Sequence, residues 1–439
     1  MAKAKLVKLK KDAILIYQRD RKNNYSSVGI GFSCGHCDNV KNGTAHFLEH
    51  MLMKETTTVD SEKMRELKME LCPSVNARTD EHSIYVTFYR TNRLFKQAFK
   101  FVCDILQNPI CSEEIMKTER GVINEEYNRV VDAKNHNINR FEFFNTANCS
   151  PLEKSLGTLE DLNKITREDL LDFKDKHFTS NNFFVSYCGN LGKRTVVSLI
   201  NNYILNNLRE DATSKCINVD VCVNAQPNLF ICTNDQNSIT AKISYKFDVD
   251  ANKERNKQKY FALRNVFMSN KNCFFQKMRS KGLVYTSSAN FGVYNGSYLF
   301  SMVFKTSKDK MIECFNVVNE TIKYVLTNDI SEDFIKIYKN NDAYFEDEKE
   351  PLSKDFKMNN NIYLYKRDKE FRPMTKKEHK KNVMNLTTGD VKDAGYIFFG
   401  NGQKPYITIM SNLTKEELPT YEELCAILNN GLDAIVKKD

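Results

Sequence analysis

Tryptophan is missing altogether from the 439 residues, and proline (8) and glycine (16) are scarce. So little of either turn former excludes collagen-like and low-complexity architectures. No apolar run approaches the roughly 18–20 residues that span a bilayer, so no membrane segment is predicted. The opening MAKAKLVKLKKDA lacks the apolar stretch of a secretory signal, and the ILIY after it is too short to supply one. It is also too poor in Ser and Arg to read as a transit peptide. No basic stripe interleaved with aromatics stands out, and a net charge of +9 is mild over this length. The lysine excess therefore reads as a solvated surface, and no nucleic-acid partner is expected. A disulfide framework is lacking too: the 13 cysteines are odd in number and irregular in spacing. That usage fits a reducing compartment, and a cytoplasmic location is the expectation.

What the chain does have is ample core material, with 41% apolar residues, 29 Phe and 20 Tyr. Its length exceeds a single ordinary core, since domains usually run about 100–200 residues. Polar, asparagine-rich sequence between Asn201 and Asp220 reads as a linker region, and the division expected is 1–210 and 211–439. In the first part, strand-like runs cover Ala13 to Gln18, Val28 to Cys34, Val75 to Ala77, Ser83 to Tyr89 and Phe183 to Cys188. Thr44 reads as the N-cap of a helix through AHFLEHMLM. Further helices are expected over SEKMRELKMEL, along Leu94, Ala98, Val102 and Ile105, and from Ser112 to about Val131. The second part repeats the style without residue-level repetition. Its strands fall near Leu229 to Thr233, Ile243 to Phe247, Tyr285, Tyr298 and Tyr406 to Met410, with charged helices from Asp309 onward. Two α+β domains of similar size follow from this pattern.

His46-Phe47-Leu48-Glu49-His50 is the most informative segment. Histidines at i and i+4 on a helix share a face, so both imidazoles reach one ion. From the intervening turn, the Glu49 carboxylate reaches a water on the same ion. This is the order of the H-x-x-E-H inverted zincins. A catalytic zinc uses three protein ligands and leaves a position for water, whose pKa it lowers toward about 7. Downstream, Glu119 and Glu126 are two turns apart on a predicted helix and so share a face. Glu125 competes with Glu126, because one residue rotates the side chain by about 100°. The alternative for these carboxylates is a solvated acidic stripe.

NGTAHFLEHMLMK, followed 76 residues after His50 by Glu126 with E-R-x-V-I ahead of it, resembles the pitrilysin, insulin-degrading enzyme and mitochondrial processing peptidase family. VNARTDEHSIYVTFY, PLEKSLGTLEDLNKITREDLLDF, FFVSYCGNL and LTTGDVKDAGYIFFGN resemble further family segments, densely to about Leu191 and sparsely after it. The resemblance implies a zinc endopeptidase with one Zn2+ per chain on His46, His50 and Glu126, and Glu49 as the base. It makes Glu119 a carboxylate that orients a ligand histidine, and puts Asn76 and Ala77 on a cleft-edge strand that pairs with extended peptide. KMRSKGLVY resembles a second-half segment whose Tyr and Arg face the zinc. Tyr285 matches it well, whereas Arg279 is out of step by one residue. The fold implied is two homologous domains, each a mainly antiparallel sheet with helices packed on one side. A chain of this length corresponds to half of the family's clamshell. It implies a chamber closed by dimerisation, as a homodimer or with a related chain, around peptides or short unfolded segments.

Two other readings belong beside this one. Some family relatives keep the fold as non-catalytic structural subunits, against which the intact ligand set argues. Cys34-Gly35-His36-Cys37 has the dithiol spacing of thiol-disulfide oxidoreductases, which place it at a helix start. Here Asp38 to Gly43 reads as loop, so these are expected to be ordinary loop cysteines.

Overall fold

The computed structural model describes residues 4–80, 82–132, 138, 151–210, 226–233, 236–247, 254, 256–294, 297–327, 330–345, 376–400, 402–432 and 435. The expected linker beyond residue 210 and most of the charged stretch 347–381 lie outside them. Two compact units are present, each built on one sheet.

The first unit contains β1 (Lys5–Lys8), β2 (Ile14–Arg19), β3 (Tyr25–Phe32), α1 (Thr44–Leu52), α2 (Ser61–Leu71), β4 (Asn76–Thr79), β5 (Ile84–Thr91), α3 (Phe95–Gln107) and α4 (Glu113–Asp132). After these come α5 (Pro151–Leu156), α6 (Leu159–Lys164), α7 (Arg167–His177), β6 (Phe183–Gly189) and α8 (Lys193–Ile200). Its sheet runs β1-β2-β6-β3-β5-β4; β2 and β6 are parallel and every other pair is antiparallel. Alternation decides which face is covered. Val28, Ile30 and Phe32 of β3 and Val86 and Phe88 of β5 point into one large core. That core is closed by α3, whose Phe95, Ala98, Phe99, Val102, Ile105 and Leu106 form a helical apolar stripe. The opposite face carries only a small cluster of Ile16, Tyr85, Phe184 and Cys188. Helices thus lie on one side, as an α+β domain of this kind requires.

The second unit contains β7 (Leu229–Thr233), β8 (Ile239–Phe247), α9 (Gln258–Ser269), α10 (Phe274–Ser280), β9 (Thr286–Tyr294) and β10 (Ser297–Thr306). It continues with α11 (Met311–Thr327), α12 (Glu332–Phe345), α13 (Lys376–Met384), α14 (Thr388–Gly395), β11 (Tyr406–Ser411) and α15 (Tyr421–Asn429). Its sheet runs β7-β11-β8-β10-β9, with β7 and β11 the parallel pair. From β2 and β7 onward the two sheets follow the same path: first strand beside last, then second, fourth and third. The domains are therefore topological duplicates although their sequences do not repeat. Ile243 and Tyr245 of β8 and Phe300 and Met302 of β10 pack against Leu263 and Phe267 of α9 in the second core.

One expectation needs correction. Thr44 is the first helical residue of α1, and Gly43 is the N-cap at φ +83°. A Cβ on Gly43 would lie 2.6 Å from the Leu156 carbonyl oxygen, so both the left-handed turn and the close approach demand glycine. The Thr44 hydroxyl turns back to donate to Lys41 O at 2.7 Å.

Candidate metal centre

The segment ahead of α1 fixes where the helix begins. Gly43 donates its N–H to Lys154 O, and the Asn39 side chain bonds Lys154 O at 2.8 Å. Asn39 Oδ1 accepts the Ala45 N–H at 2.9 Å, satisfying one of the donors orphaned at a helix start. Once begun, α1 buries Ala45, Phe47, Leu48, Met51 and Leu52 in the core. Its 3.6-residue period then brings His46, Glu49 and His50 together on the other face.

Helix α4 supplies the facing carboxylates, and Arg120 sets its position. The Arg120 guanidinium lies over the Phe47 ring at 5.7 Å and donates to Leu162 O (3.2 Å) and Ile165 O (2.8 Å). It thereby ties α4 both to α1 and to the α6–α7 connection. Arg120 lies within the E-R-x-V-I stretch, where spacing alone signals no role for it. Glu119 and Glu126, two turns apart, then face the histidines, while Glu125 points to solvent.

The imidazoles of His46 and His50 have centroids 4.6 Å apart. His46 Nε2 lies 3.9 Å and His50 Nε2 3.7 Å from Glu126 Oε2. These three donor atoms fall within 4.8 Å of one another, the one such grouping among the described residues. Tetrahedral zinc with bonds of about 2.0–2.1 Å needs donors roughly 3.3 Å apart, so a small contraction would satisfy it. Two imidazoles and a carboxylate are also donors that zinc accepts, and the residues present fit that ion. Behind them, His50 Nδ1 meets Glu119 Oε2 at 3.0 Å, which leaves Nε2 free to face the centre. Lys54 Nζ holds the other Glu119 oxygen at 2.6 Å. Glu49 lies beside the group, its Oε2 4.0 Å from His46 Nε2 and 3.2 Å from the Thr79 hydroxyl.

Titration behaviour follows from this crowding. Burial above all, with the His50 charge, pushes His46 down to about 4. Burial also presses on His50, but its bonds to Glu119 and Glu126 and the Glu49 charge outweigh it and lift the imidazole to about 9. Burial raises Glu49 above the ordinary carboxylate range, only partly offset by His50 and Thr79. The bond to His50 lowers Glu126. Burial raises Glu119, but His50 and Lys54 together overcome it and hold the group low.

The remaining singled-out residues lie elsewhere. Asn76 and Ala77 open β4, the edge strand of the first sheet, with Asn76 exposed and Ala77 buried. Arg279 and Tyr285 belong to the second unit. Arg279 lies in the last turn of α10 with its guanidinium 5.7 Å over Phe275. Tyr285 is 75% exposed just before β9. Cys34 is buried, and Cys37 sits in a short 3-10 turn well ahead of α1. The dithiol therefore lacks the helix start that oxidoreductases use. None of the described cysteines is disulfide-bonded. Among the described residues, no helix is long and apolar enough to cross a membrane.

An α+β pair of duplicated domains with a His-His-Glu group on two helices defines a peptidase class. Residues 14–158 match the family model described as Insulinase (Peptidase family M16), and residues 164–341 match that of the Peptidase M16 inactive domain. The chain belongs to the M16 peptidase family. An uncharacterized zinc protease of Rickettsia felis is 29% identical over 274 residues, covering 61% of this chain and 65% of its own. The probable mitochondrial-processing peptidase subunit beta of Arabidopsis thaliana is 28% identical over 180 residues, covering 40% and 34%. The match thus spans less than two thirds of either relative's length. The periplasmic protease PqqL of Escherichia coli has the same fold, with a TM-score of 0.75 at 15% identity, and the likeness covers 99% of this chain and 50% of that one.

Proposed function

We propose that the chain is a zinc-dependent endopeptidase, with residues 1–210 as the metal-bearing domain and 211–439 as the non-metal domain. The observation that carries the proposal is the convergence of both histidine Nε2 atoms on Glu126 Oε2 beside the Glu49 carboxylate. His46, His50 and Glu126 would hold one zinc, which when bound supplies Lewis acidity to the scissile carbonyl and the attacking water. Glu49 takes the water's proton and delivers it to the leaving amine. Burial suits it to the first of these roles, because a carboxylate with a raised pKa is a stronger base toward the water's proton. Glu119 fixes the His50 tautomer, and Lys54 keeps Glu119 ionised. Asn76 and Ala77 would align extended peptide along the edge of β4.

The substrates are peptides or short unfolded segments, taken into a chamber that two chains close as a homodimer or with a related chain. The likeness to half of the longer Escherichia coli protease supports that arrangement. The exposed Tyr285 phenol, and with it Arg279, would donate hydrogen bonds to the developing oxyanion at a neighbouring chain's centre. The test is a pair of variants. Glu49→Gln should retain zinc and lose about 10²–10⁴ of the hydrolysis rate, and His50→Ala should lose both zinc and activity. Cleavage by Glu49→Gln at the parent's rate would rule the mechanism out.

A further inference from the structure

Strand β4 ends at a hydroxyl that hydrogen-bonds the candidate base. Along its four residues, directions alternate. Asn76 and Arg78 are exposed, whereas Ala77 is buried in the core. Thr79, two residues on, points the same way as Ala77, and its hydroxyl donates to Glu49 Oε2 at 3.2 Å. Thr79 acts on that carboxylate through both its hydroxyl and its backbone. The support behind Thr79 is stiff. A β-branched side chain in a strand has few rotamers. The turn that follows is locked by Asp80, which donates its N–H to Ser83 O and accepts from His82 N (2.9 Å) and the Ser83 hydroxyl (2.7 Å). Thr79 also pairs with Ile84 on β5, so its inner side is fixed in register while the outer edge of β4 stays available.

We propose that Thr79 is the positioning residue for Glu49, and that it couples peptide docking on the edge of β4 to alignment of the base. A peptide that adds to this edge orders the backbone of the same residue whose hydroxyl fixes the carboxylate plane. The inference rests on the peptidase reading above. A positioning role affects turnover more than docking, because a base misplaced by about 1 Å costs on the order of 10²-fold in rate.

The experiment compares Thr79→Val and Thr79→Ser in the full chain. For Thr79→Val, kcat on a peptide substrate should fall about 10- to 100-fold with KM within about threefold of the parent, and Thr79→Ser should restore most of the loss. Zinc content after dialysis against a chelator should match the parent in both. Affinity for a peptide hydroxamate, read by calorimetry, should fall in the Val variant and recover in the Ser variant, since that ligand needs an aligned carboxylate. A Thr79→Val protein with the parent's kcat and hydroxamate affinity overturns the assignment. So do Val and Ser variants that lose zinc and activity alike, which marks a merely structural contact. A parent that holds no zinc and cleaves no peptide sinks the peptidase reading and this inference together. A parent that cleaves while Thr79→Val is unaffected sinks the inference alone.

Discussion

A single rotation along α4 separates a proposed ligand from a bystander. Glu126 lies beside both histidines, while its neighbour Glu125 points to solvent. Glu126→Gln should therefore lose zinc at chelator concentrations that leave Glu125→Gln loaded, as metal analysis after dialysis would show; the reverse order would move the ligand by one residue. His36 makes a different statement at the same scale. Burial first, then the charges of His82, Lys154 and His46, push its imidazole down to about 4. In the unfolded chain it titrates near 6.5, so between those values the unfolded state binds more protons. Its contribution is fully present above 6.5 and drains away as the pH falls toward 4, by on the order of 3 kcal/mol. Thermal melts of His36→Phe should fall off less steeply between pH 7 and 5 than those of the parent. An unchanged slope would assign the acid limb to other groups.

At the level of elements, a glycine ahead of one helix and a glycine inside another have opposite consequences. Gly43 starts α1 at φ +83° against the Leu156 carbonyl, so Gly43→Ala should cost about 2–4 kcal/mol and displace the metal helix. Gly121, inside α4, has nothing within 4 Å of an added Cβ, and Gly121→Ala should gain about 0.5–1 kcal/mol. Denaturant unfolding of both variants gives the comparison, and equal effects would contradict it. The same contrast explains what could be read from sequence. Helix α2 matched its expected span, Ser61–Leu71, because the Asp60 cap and the apolar period are local signals. The cap of α1 was misplaced by one residue because its reason, the Leu156 backbone, is more than a hundred residues away. Strand β1, short, basic and at a sheet edge, left no pattern to find. Strand β8 begins four residues earlier than expected, at Ile239, and Ile239 and Ala241 continue the alternation of Ile243 and Tyr245 into the core. His46, Glu49 and His50 were legible as one helical face. Glu126 came from the family resemblance, since the docking of α4 on α1 is tertiary and runs through Arg120.

For the whole molecule, duplication without repetition leaves the His-His-Glu group in the first unit, the one such grouping among the described residues. Helix α9 occupies the place of α1 in the second sheet's order, yet QKYFALRNVFMS offers no histidine, cysteine or carboxylate. If Tyr285 serves a neighbouring chain, mixing Glu49→Gln protein with Tyr285→Phe protein should restore partial activity that rises as subunits exchange. Heterodimers that form yet stay inactive would confine the tyrosine to its own chain. The brevity of β4 also bears on how fast such an enzyme could cycle. Four residues at a sheet edge present about four outward backbone groups, each worth roughly 0.5–1.5 kcal/mol net before the guest's ordering entropy is subtracted. On the proposed docking, a grip that shallow would release cleaved fragments readily, and residence time would be set by how much chain the guest still has to offer, so that long segments would linger and short products depart.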